Sequence, residues 1–181
     1  MKHALLLLVL FCIFSCEEER QPLPKAYLKL QYPEASYKAY ASQQAFEFEH
    51  NRFAEVIEDE RGLKLIYPSI KATVYLNYKP VEKNLPELLN DAYQLPYKHV
   101  VKATAIPEKL FINTKDHVYG TLFMVEGNAA SQFQFFATDS LQHFVIGSLY
   151  FYAQPNYDSL YPAIQYLQKD IAHFLESLRW N

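Results

Sequence analysis

The chain has 181 residues, with 17 Lys and Arg against 20 Asp and Glu, for a formal net charge of −3. That balance leaves no electrostatic footprint for nucleic acid, whose phosphates must be met by clustered cations. Its four glycines, at positions 62, 120, 127 and 147, are too scattered to build a phosphate-cradling loop, so nucleotide binding is not expected.

At the N-terminus, Lys2 and His3 precede an apolar run of 11 residues from Ala4 to Phe14. This is well short of the roughly 20 residues needed to cross about 30 Å of hydrocarbon, so the run reads as an export signal. Ile13-Phe14-Ser15-Cys16 places a small residue before a cysteine and a branched apolar residue three positions before it, which resembles the lipobox of bacterial lipoproteins. In that class residues 1–15 are the signal peptide, the Cys16 thiol takes a diacylglyceryl group, cleavage follows Ser15, and the new terminus is acylated. At about 0.8 kcal/mol per buried CH₂, several acyl chains anchor stably where one is marginal. An ordinary secretory signal with an incidental Cys16 is the simpler alternative, but cysteine usage favours the lipoprotein. Cys12 lies in the leader, so the 166 mature residues (181 − 15) keep only Cys16. Without disulfides an exported domain depends on its core. At this length a chain buries roughly 70% of its unfolded surface, which suffices for one domain.

Residues 16–25 are the anchor and its tether. EEERQPLPK combines an acidic run with two prolines, a composition that stays extended and solvated. Spacing from the membrane is its plain role, and a sorting signal for surface export the sharper one.

From Ala26 onward the pattern is that of strands, with short ones expected at residues 27–32, 45–50 and 63–67. Within the second, Glu47, Glu49 and His50 would need a distant partner to hold a metal, and solvated strand residues are the plainer reading. Glu58, Asp59 and Glu60 beside Arg61-Gly62 read as a hairpin tip. In KATVYLNYK, Ala72, Val74, Leu76 and Tyr78 share one face and Thr73, Tyr75 and Asn77 the other, the period of a strand. A helix is expected from Pro86 to Leu95, capped by Asn84 and stopped before Pro96. Beyond it, YKHVVKATAI gathers Lys98, His99 and Lys102 into a small basic spot, for which a solvated face is the plainer reading.

Strands follow at 107–112 and 117–125, and Gly127-Asn128 supplies the turn of an antiparallel hairpin into SQFQFFATD. That stretch sets Phe133, Phe135 and Ala137 on one face. HFVIGSLYFYA is apolar on both faces, which predicts a central strand covered on two sides, with Gly147 marking a bulge or a close approach. The last element is helical. Leu160, Ile164, Leu167, Ile171, Phe174 and Leu178 recur at spacings of 4 and 3 as one apolar stripe, with Ser159 as the cap and Pro162 in the first turn. Residues 26–181 therefore read as a single α+β domain, mainly an antiparallel sheet with helices packed on it. The element order resembles the Mog1/PsbP-like architecture, a likeness that carries little about function.

Catalytic signatures do not emerge. Neither GxSxG nor SxxK occurs, and His50, His99, His117, His143 and His173 show no HxH or HExxH pairing. No catalytic residue, cofactor or metal is expected, and the chain is not read as an enzyme. The 15 tyrosines and 13 phenylalanines fill a core and dress strand faces. Tyrosine-rich strands also serve as sugar platforms or protein contact faces, although the lone Trp180 does not favour carbohydrate.

YPSIKATVYLNYKPV, NLPELLNDAYQLPYKHVVKATAI, VYGTLFMVEGNAASQFQFFATDS and SLYFYAQPNYDSLYPAIQYLQKDIAHFLESLRW, together with the lipobox, resemble the GldD family of gliding motility-associated lipoproteins over roughly Pro24 to Trp180. The resemblance implies a cell-envelope lipoprotein needed by a gliding machinery that is coupled to protein secretion across the outer membrane. It implies no enzymatic activity or cofactor, and only Cys16 carries over as a functional position. The expectation is a non-enzymatic assembly or stabilising component, held by its N-terminal lipid in the inner or the outer membrane with its domain outside the cytoplasm. Envelope proteins of the gliding machinery are its expected partners, and Tyr97, Lys98, His99, Lys102 and Asn128 are the candidate contact residues. The alternative is a glycan- or peptidoglycan-binding module using exposed tyrosines.

Overall fold

The structure, a computed structural model, describes residues 32–98, 100–154 and 156–181. The expected signal peptide and tether, with Cys16, and His99 lie outside them. So does the strand expected at 27–32 apart from Tyr32, which is in no strand. In chain order the described residues form β1 (Tyr37–Ala41), β2 (Phe46–Asn51), β3 (Glu55–Asp59), β4 (Gly62–Tyr67), β5 (Ala72–Pro80) and α1 (Leu85–Tyr97). After a 3₁₀ turn at Val100–Lys102 come β6 (Ala103–Ala105), β7 (Glu108–Asn113), β8 (Val118–Met124), β9 (Glu126–Gly127), β10 (Ser131–Thr138), β11 (His143–Phe151), α2 (Tyr157–Ser177) and β12 (Arg179–Trp180).

The main sheet has seven strands in the order β3-β4-β5-β11-β10-β8-β7, and every neighbouring pair is antiparallel. A second sheet, β1-β2-β12, lies beside it, and β6 pairs with β9. Alternation decides the faces. Ala72, Val74 and Leu76 of β5 pack with Phe133, Phe135, Val145 and Leu149 against the stripe Ile164, Leu167, Ile171 and Phe174 of α2. On the opposite face Leu88 and Ala92 of α1 meet Phe123, Phe136 and Phe144 in a second, smaller core. The domain is thus α+β, an antiparallel sheet with a helix on each face.

Three sequence expectations need correction, and the choice left open at Gly147 is decided. The strand buried at every position is β10, whose inward residues meet α2 while Phe136 meets α1. β11, although central in the order, is half-buried at Ile146 and Ser148 and exposed at Tyr150, and of these Ile146 packs against the α1 core. Gly147 marks close approach, not a bulge: it lies opposite Phe135, whose ring occupies the space of a Cβ. The irregularity is at Ser131/Phe133. α1 continues through Pro96 to Tyr97; Asn84 is at its N-cap as expected, with its carbonyl accepting the Leu88 N–H at 3.1 Å, but its side chain accepts from the Glu82 N–H at 2.8 Å and not from the helix. α2 is capped by Asn156, whose Oδ1 accepts from Ser159 N, so Ser159 is inside the helix and Pro162 is in its second turn.

Candidate functional site

Of the expected contact residues, Tyr97 and Lys98 end α1, and the Tyr97 hydroxyl donates to Glu108 Oε1 at 3.2 Å. That bond lifts the Tyr97 hydroxyl above its ordinary pKa and seats the helix end on β7. Tyr93, one turn earlier, lies 3.5 Å through its hydroxyl from Thr121 Oγ1 of β8. Lys102 closes the 3₁₀ turn and leads into β6, which pairs with β9 through Ala103↔Gly127. Gly127 needs its freedom: its φ is +118°, and an added Cβ would stand 2.5 Å from the Lys102 carbonyl oxygen. The two segments singled out from sequence, YKHVVKATAI and EGNAAS, are therefore neighbours. Asn128 has a structural duty there, because its Oδ1 accepts the Tyr157 N–H at 2.9 Å and helps satisfy the start of α2.

Apolar exposure concentrates at the same place. Twelve large apolar side chains are exposed among the described residues, and Tyr93, Tyr97, Val100, Val101, Leu110 and Ile112 make up half of them. Val101 is 88% exposed, Leu110 65% and Ile112 71%. Leu110 and Ile112 alternate with the buried Phe111, so they emerge on the side of β7 turned away from the α2 core. A clustered apolar area rimmed by lysines is the signature of a contact surface. Sequence reading found the basic rim and missed its apolar centre. The available signal was EKLFIN, where apolar residues occupy both faces of a strand at the edge of the sheet.

The acidic and histidine candidates are taken up structurally. Glu47 and Glu49 are exposed on β2 while His50 points into the interior, so strand alternation separates that trio. Glu49 Oε2 instead lies 2.7 Å from His173 Nε2, and the His173 ring stacks on Tyr37 with centroids 3.6 Å apart. Among the described residues no group of three His, Cys, Asp or Glu side chains is placed to hold a metal ion. Glu58 is not at the hairpin tip. It accepts from Ser42 Oγ at 2.6 Å, Tyr40 OH at 2.9 Å and Gln43 N at 3.1 Å, which joins β3 to the β1–β2 turn. Burial raises its pKa, but these donors outweigh burial and leave it below the ordinary value.

Comparison with known proteins gives one decisive result. The family model described as gliding motility lipoprotein GldD matches residues 17–180. The chain belongs to this family. No curated protein matches it. The match opens directly after Cys16 and runs through all the described elements. As a GldD lipoprotein the chain is a gliding motility lipoprotein of the cell envelope, and no described helix is long and apolar enough to cross a membrane.

Proposed function

We propose that this GldD lipoprotein is a non-enzymatic component of the gliding machinery that assembles or stabilises an envelope complex through protein contact. Cys16 carries the lipid that holds it to the membrane, and the domain stands outside the cytoplasm on its tether. The contact surface is the end of α1 with Lys98 and Lys102 and the face of β7; His99, the other expected contact residue of this segment, lies outside the described residues. The observation that carries this reading is that half of the exposed large apolar side chains, Val101 and Ile112 foremost, lie on α1, the turn after it and β7, the elements that carry or adjoin that basic rim. Binding energy in such surfaces resides in a few central anchors, so single changes there should be costly.

Val101→Asp and Lys98→Glu are expected to reduce crosslinked partner in intact cells and to impair gliding, while the purified full chain melts normally. Normal gliding and normal capture in both well-folded variants would remove the reading.

A second reading, a glycan- or peptidoglycan-binding module, has its own support in Tyr75, Tyr150 and Tyr152. The Tyr152 hydroxyl lies 3.0 Å from both Thr73 Oγ1 and the Tyr75 hydroxyl, and Tyr75 and Tyr150 meet edge to face. These rings dress a part of the sheet that α1 leaves open. Peptidoglycan fragments that raise the melting temperature would favour it, since a ligand preferring the folded state must stabilise that state.

A further inference from the structure

We infer that the contact surface receives its partner as an added β-strand along the outer edge of β7, an inference that rests on the protein-contact reading above. Among the described residues β7 closes one end of the seven-stranded sheet and pairs with β8 alone. Its hydrogen-bond phase follows from one bond, Met124 N–H to the Pro107 carbonyl at 2.9 Å, in the same register as Glu108↔Phe123. Backbone groups alternate direction along an antiparallel strand, so residues 107, 109, 111 and 113 face β8. The N–H and C=O groups of Glu108, Leu110 and Ile112 therefore face outward, and among the described residues no backbone group bonds to them. These are also the residues whose side chains emerge on the side of Tyr97, with Leu110 and Ile112 largely exposed.

Such an edge is a hazard unless it is used. Proteins blunt free edges with charge or cover them, as the other end of this sheet does: β3 carries the exposed Glu55, and its Glu58 is held by the β1–β2 turn. β7 instead offers Leu110 and Ile112 outward, and Lys109 is drawn across its own Phe111 ring, 4.7 Å from the centroid. The occupant that fits is an extended segment of another envelope protein. Its residues facing Leu110 and Ile112 are apolar at alternate positions, and acidic side chains beside them meet Lys98 and Lys102. Glu108 is already engaged by Tyr97, so the charge left for the partner on this rim is positive. A second copy would bring the same cations. Main-chain bonds supply the affinity of strand addition and the alternate side chains its specificity.

The test separates backbone pairing from side-chain contact in the full-length, membrane-anchored chain. Leu110→Pro deletes one outward N–H without touching the β8 ladder, and Leu110→Val keeps that N–H. With a photocrosslinker at position 101 in intact cells, Leu110→Pro should lower partner crosslinking at least tenfold and abolish gliding. Leu110→Val should behave as wild type, and both purified chains should melt within a few degrees of it. The crosslinked partner segment, sequenced by mass spectrometry, should alternate apolar residues and carry acidic ones. Wild-type crosslinking by Leu110→Pro, with loss in Lys98→Glu, would overturn strand addition and leave the surface reading standing. Wild-type behaviour in both would overturn the two together. A dimer of the purified chain that Leu110→Pro dissolves would assign the edge to a second copy and overturn the partner stated. Should Leu110→Pro not fold, Ile112→Pro serves in its place, and unfolding of both would show that these N–H groups are not free and overturn the inference.

Discussion

Asn51 and Asp170, 119 residues apart in sequence, meet in the interior, where Asn51 Nδ2 donates to Asp170 Oδ2 at 2.9 Å. Both side chains are buried, and the other Asp170 oxygen accepts the Tyr37 hydroxyl at 2.9 Å, so one carboxylate ties α2 to the first two strands. Asn51 Nδ2 also reaches the Tyr166 hydroxyl at 2.9 Å. A buried carboxylate is retained only where donors surround it.

Burial pushes the Asp170 carboxyl above its ordinary value of 3.8, against donors from Asn51, Tyr37 and Tyr67 that favour the anion. A carboxyl whose folded pKa exceeds its unfolded one contributes its full stability below the unfolded value and loses it as pH rises through the folded value. Asp170→Asn cannot ionise. Its melting temperature should therefore gain on wild type as pH climbs from about 4 toward neutrality. A difference that does not move with pH would refute this. Asp170→Ala, by contrast, should destabilise at every pH, by roughly 1–3 kcal/mol for each buried donor left unpaired.

His50 has the opposite sign. Its Nδ1 lies 2.9 Å from the Asn51 carbonyl, to which it donates, and its Nε2 is buried without a partner. Burial holds its pKa below the ordinary 6.5, with Lys38 and Arg52 adding to that effect. The unfolded chain thus takes up a proton that the folded one resists, and stability falls as pH drops below about 6.5. His50→Phe should close the stability gap to wild type as the solution is acidified from pH 7 to 5. Urea titrations at the two pH values measure it, and a gap that widens on acidification would contradict the argument.

Gly147→Ala tests the sheet's tightest contact. The added methyl would fall within the Phe135 ring, directly across the β10–β11 pair. Overpacking of this kind costs about 1–3 kcal/mol, and more where the neighbour cannot move. In a Phe135→Leu background the same change should cost much less, since the two residues are in contact and their effects cannot add. Equal penalties in both backgrounds would mean that the ring is not the obstacle.

These residues mark what sequence could reveal. The stripe of α2 and the alternation of β5 were legible because each repeats one geometric period against a single core. Gly147 was legible as a special position, and of the two reasons expected there, a bulge or a close approach, the ring of Phe135 across the sheet decides for the second. β1 and β3 passed unnoticed, because YKAYA and EVIED bury too few residues to impose a period. The cap on α2 was misplaced by three residues because Asn156 and Ser159 are both good caps, and only the Asn156 side chain turns toward the helix. The Asn51–Asp170 bond depends on a contact between distant segments, which no local pattern carries, while the apolar half of the α1–β7 surface has a local sign in EKLFIN, apolar on both faces, whose exposure follows only from the edge position of β7. The basic half, Lys98 and Lys102, could be read because charge is visible residue by residue.

The membrane link is the remaining step, and Cys16→Ser tests it. On the proposed processing, Cys12 would be lost with the leader and Cys16 would be the single thiol left, its acyl chains the strong attachment for a domain whose described helices do not span a bilayer. The variant should accumulate as an unprocessed or soluble species. Fractionation of washed membranes, with the N-terminus determined by mass spectrometry, reads the outcome directly. A Cys16→Ser chain cut after Ser15 and still held in washed membranes would show that something other than lipid anchors it. The α1–β7 surface would then be the first place to look for that hold, and Val101→Asp combined with Cys16→Ser should release the chain.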